Sequence, residues 1–77
     1  MKIIYRVRYE EQCSGDDEWS RESLNVEAGE DAQIAVDKAR AYSLAQEWDV
    51  TDTDPPSKGR VVAFRLVSVE PIAEVDV

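Results

Sequence analysis

Seventy-seven residues suffice for one hydrophobic core and are too few for two, so a single domain is expected. Apolar residues make up 43% of the chain, enough for a folded core, yet no apolar run approaches the ~20 residues of a membrane-spanning helix. Seventeen acids against nine bases give a net charge of −8, and the absence of histidine removes the commonest general base and metal ligand.

The opening "KIIYRVRYE" alternates, placing Ile3, Tyr5, Val7 and Tyr9 on one side of a strand over residues 2–11 and Lys2, Ile4, Arg6, Arg8 and Glu10 on the other. The arginines also interrupt any signal-like apolar stretch, so a cytoplasmic location is expected. Ser14-Gly15-Asp16-Asp17 supplies turn chemistry. A second strand over 20–28 puts Leu24, Val26 and Ala28 on one face and Arg21, Ser23, Asn25 and Glu27 on the other. Trp19 falls on the polar side unless a bulge intervenes. Asp31 is the expected N-cap of a helix that frays from about Gln46, because Glu47 and Asp49 oppose the dipole there.

"DVTDTDPPSKGR" reads as a loop, since Pro55-Pro56 cannot extend a helix. A third strand over 60–69 follows, with Val62, Phe64 and Leu66 on one face and Val61, Ala63, Val67 and Val69 on the other. Pro71 should bend or end it, leaving residues 71–77 as a tail or short extra strand after a compact domain over 1–70. The expected fold is α+β in the order β-β-α-β: a three-stranded sheet, order 2-1-3, with one helix packed on one face. Tyr5, Val7, Leu24, Val26, Val36, Ala39 and Phe64 should be buried between helix and sheet.

At 100° per residue the helix shows a core stripe of Ala32, Ala35, Val36, Ala39, Tyr42 and Ser43. A second stripe, Ile34, Ala41, Ala45 and Trp48, lies nearly opposite. Either Trp48 folds back to cap the core, or Ile34, Ala41 and Trp48 form a contact patch for a partner.

Little here carries chemistry. Cys13 is the lone cysteine, without a partner for a disulfide, in an acidic segment that would raise its pKa. Asp49, Asp52 and Asp54 lack the Gly and distal Glu of a calcium loop. No cofactor motif, catalytic set or metal site is expected. The acid excess with three lysines against six arginines resembles, in composition alone, the proteins of salt-accumulating halophiles.

The open sheet face is the most informative surface. Lys2, Arg6, Arg8, Arg21 and Arg65 would gather there, although Glu10 and Glu27 share it and can pair with them. The expected function is a small acidic, non-enzymatic protein-interaction module that self-associates through the last strand, whose Val-rich edge would otherwise stay bare. The partner is then another protein or a second copy. The alternative is a binder of single-stranded nucleic acid using the basic face. A lesser one is an acidic surface that mimics DNA, and no membrane partner is expected.

Overall fold

The computed structural model of the protein describes residues 1–76. β1 (Lys2–Cys13) and β2 (Trp19–Ala28) form an antiparallel hairpin, followed by α1 (Ala32–Leu44), β3 (Glu47–Val50) and β4 (Ser57–Val75). The strands make one antiparallel sheet in the order β2-β1-β4-β3, curled into a half-barrel with one helix packed against it. The expected three-stranded sheet of order 2-1-3 is therefore incorrect. Glu47–Val50, assigned to a fraying helix end and a loop, is a strand that pairs with Ser57–Arg60. Four residues with two charges among them, joined directly to a helical pattern, are too short to display a period of two.

Local chemistry explains most boundaries. Gly15 takes φ 79° in the β1–β2 turn, where Asp16 N–H reaches Cys13 O and the Asp16 carboxylate accepts from Glu18 N–H. Asp31 caps α1 by accepting from Gln33 N–H at 2.9 Å. At the other end Ala45 N–H bonds to Ala41 O and Gln46 N–H to Ser43 O, closing the helix at Leu44. Gln46 O then accepts from Val61 N–H, stitching the helix exit to β4.

β4 is long and irregular. Pro71 does not end it: residues 71–75 continue the strand beside β1. Three register shifts against β1 leave Val62, Val67 and Ile72 as extra residues, and each bulge bends the strand and adds twist. Simple alternation along 60–69 therefore fails. Val61, Phe64 and Val69, assigned to opposing faces, all lie on the helix side, opposite Cys13, Glu11 and Val7.

The core is Tyr5, Val7, Tyr9, Val26, Ala28, Ala35 and Ala39, with Ile3, Leu24, Ala32, Phe64 and Val69 packed against it. Val36 and Val61 are also buried. Alanines at the helix underside permit close approach to the sheet, and Tyr5 donates its hydroxyl to Gly29 O at 2.9 Å. Tyr42 departs from its expected core position and is 54% exposed. No helix among the described residues is long and apolar enough to cross a membrane.

Candidate functional site

The sheet face away from the helix brings together all five basic residues singled out above. Antiparallel residues that oppose one another share a face, and the register places Arg21 and Arg65 on either side of Glu10. Glu10 holds both: its carboxylate lies 2.9 Å from Arg65 Nε and 3.8 Å from Arg21. Glu70 bridges Arg8 at 3.3 Å and Arg6 at 3.8 Å, while Lys2 pairs with Glu27 at 2.8 Å. The Lys2–Glu27 hydrogen bond, with the attraction of the two charges, raises the lysine pKa and lowers that of the glutamate.

Five bases thus share three acids. The residual positive charge is small, and the arginines that would meet a polyanion are already engaged. Trp19, on the open face opposite Gln12, lies beneath the Arg65 guanidinium, 4.1 Å from its ring centroid. Its ring is covered rather than presented for stacking. Glu70 was not foreseen as part of this set, because its face depends on the Val67 bulge, which no local pattern announces.

The helix residues do not form one patch. Ile34 and Ala41 are exposed on the outward side of α1, but the helix ends at Leu44, so the stripe stops short of Trp48. Trp48 stands on β3 instead, its indole lying across Gly59, and it remains 41% exposed. It neither caps the core nor extends the helical stripe.

The remaining titratable groups are dispersed. Burial pushes the Cys13 thiol up, and Glu11, Asp16 and Glu22 add to the shift, so it is a poor nucleophile at neutral pH. Asp49 pairs with Lys58 at 2.7 Å. Among the described residues no group of acids, cysteines or histidines is arranged to hold a metal ion, and no enclosed pocket forms.

One surface stands apart. β3 occupies the outer edge of β4 only over Ser57–Arg60, and Gln46 takes the N–H of Val61. Beyond that point, among the described residues, β4 pairs with β1 alone, so the edge from Val62 to Val75 has no neighbouring strand. That stretch carries Val62 (47% exposed), Leu66 (43%) and Val67 (42%), along with exposed Ile72 and Val75. The opposite edge of the sheet, β2, exposes Ser20, Arg21, Glu22, Ser23, Asn25 and Glu27. Charged edges resist strand addition and a long, flat apolar edge invites it. The β4 edge is long and rich in exposed aliphatics, with three bulges, Pro71 and the charged Arg65, Glu70 and Glu74 along it.

No protein-family model matches the chain, and no curated protein or solved structure matches it.

Proposed function

We propose that the chain is a small, non-enzymatic interaction module of the cytoplasm that works by strand addition at the free edge of β4. The observation that supports this most directly is the asymmetry of the two sheet edges. β2 is polar along its outer side, whereas β4 leaves backbone donors and acceptors unpaired beside a row of exposed aliphatic side chains. The first partner to consider is another copy of the chain.

The nucleic-acid reading has weaker support. Its five bases face the same way, but each lies within 4 Å of a carboxylate and Trp19 is stacked under Arg65. The chain's net charge of −8 would also repel a polyanion at long range. Sedimentation across protein and salt concentrations, with and without a single-stranded oligonucleotide, separates the two. Association that grows with protein concentration and persists in high salt is expected. A chain that stays monomeric but binds the oligonucleotide in a salt-sensitive manner would replace strand addition with nucleic-acid binding. Val67→Lys should shift the wild-type equilibrium toward monomer while leaving the circular dichroism spectrum unchanged.

A further inference from the structure

Deepening the strand-addition reading, on which this rests, we propose that the strand received by β4 is the β4 of a second copy, paired antiparallel about a two-fold axis between Val67 and Ser68. The argument starts from a restriction. Opposed residues on antiparallel strands share a face, and in a regular strand residues five apart point to opposite faces. Such a strand cannot place Arg65 opposite Glu70 of its copy. The extra residue at Val67 lifts the restriction: Arg65 opposes Glu10 and Glu70 opposes Arg6, so both lie on the open face.

The same symmetry matches the other non-bulge positions. Leu66 and Val69 both face the helix side, as do Phe64 and Pro71. The flanking bulges fall one residue out of step, with Val62 meeting Ala73 and Ala63 meeting Ile72 of the second copy. Away from the axis apolar residues thus meet apolar residues, with one unlike-charge pair on either side of it; at the axis itself Val67 of each copy meets Ser68 of the other.

Other face-matched registers fare worse. An axis at Arg65 puts that arginine against itself and drives the residues beyond Glu70 into the β3 of the second copy. An axis at Glu70 opposes two glutamates and shortens the overlap. An axis between Leu66 and Val67 sets Arg65 against Ser68 and Glu70 against Ala63, and an axis at Val69 sets Arg65 against Ala73 and Glu70 against Ser68, so both leave the two charges without an unlike partner across the seam. Arg65 keeps Glu10 and Glu70 keeps Arg6 and Arg8 within each chain, and this axis extends both ladders to an unlike charge of the second copy. Like charges directly opposed are destabilising, so the charge pattern favours the axis between Val67 and Ser68. Pairing then spans Val62 to Ala73 and stops where Gln46 and β3 take over the edge. Two isologous edges become one continuous sheet.

A charge-exchange mixture tests this. Arg65→Glu alone and Glu70→Arg alone each place like charges across the seam and should weaken self-association by roughly tenfold. An equimolar mixture of the two variants pairs unlike charges at both positions and should restore most of it. Any disturbance of Glu10, Arg6 or Arg8 within each chain is the same alone or mixed, so restoration reports the seam. In a Cys13→Ser background, disulfide cross-linking of single-cysteine variants should peak at Val67→Cys and Ser68→Cys. Failure of the mixture to restore association, or a peak at Arg65→Cys, Leu66→Cys, Val69→Cys or Glu70→Cys, would overturn the register while leaving strand addition standing. A wild-type chain that stays monomeric by light scattering at every concentration and salt would overturn the second-copy assignment, and self-association with it.

Discussion

At the residue scale, Gly59 shows why a side chain can matter by being absent. It is the one buried position in the Ser57–Arg60 arm, and the Trp48 indole lies directly across it. A Cβ there would meet Trp48 Nε1 and Cε2 in hard overlap and Cζ2 at 2.8 Å. Because the ring is already partly exposed, it can swing outward, so Gly59→Ala should expel Trp48 at a cost of roughly 1–3 kcal/mol. In a Trp19→Phe background the expected readout is a red-shifted emission maximum; an unshifted spectrum would mean that the backbone yields instead. Glu11 supplies a second residue-scale prediction. Burial raises its pKa, Glu22 adds to the rise, and the hydrogen bond donated by Ser43 opposes it. A carboxyl whose folded pKa exceeds its unfolded value favours the fold while protonated, and that contribution is lost as pH rises through the folded pKa. Glu11→Gln should therefore raise Tm at pH 7, with the gain shrinking toward zero near pH 4. A variant equally stabilised at both pH values would mean that charge is not the cause.

At the element scale, the legible parts were those whose residues repeat with one period for long enough. The alternation of Ile3, Tyr5, Val7 and Tyr9 and the Asp31-capped helix carry their own signals, and both elements are present. β3 was illegible because four residues cannot establish a period, and the faces of β4 because each of three bulges resets the parity. The charged ladder was half legible: the bases could be placed from β1 and β2, but Glu70 depends on a bulge. The free edge was suspected from the valines alone, though its limits depend on where β3 stops. Packing of α1 makes the prediction at this scale. Ala35 and Ala39 are fully buried in the core between helix and sheet, so a longer side chain must displace packed neighbours. Ala39→Leu should destabilise the fold by roughly 1–3 kcal/mol in urea unfolding, even though leucine is a good helix former. A cost below about 0.5 kcal/mol would show that the helix rides up freely on the sheet.

For the whole molecule, charge and shape act together. The fold is elongated, 51 × 23 × 14 Å, and its acids include clusters where the chain turns: Asp16, Asp17 and Glu18 in one connection, Asp52 and Asp54 in another, and Glu30 and Asp31 before the helix. The bases are mostly committed to the open face and its carboxylates. Net repulsion among the remaining acids opposes compaction, and it is screened over about 10 Å at 0.1 M salt and about 3 Å at 1 M. Salt also weakens the open-face pairs, but exposed ion pairs contribute only about 0–1 kcal/mol each, and those with 3.8 Å separations least. The repulsion acts across the whole chain and should dominate. Tm is therefore expected to climb as KCl rises from about 0.05 M toward 2 M, by roughly 4–8 °C for each kcal/mol of repulsion removed. Because strand addition would also raise Tm, the measurement belongs in the Val67→Lys background, where association is suppressed. A flat or falling curve there would show that the paired carboxylates Glu10, Glu27 and Glu70, rather than the unpaired acids, set the salt response.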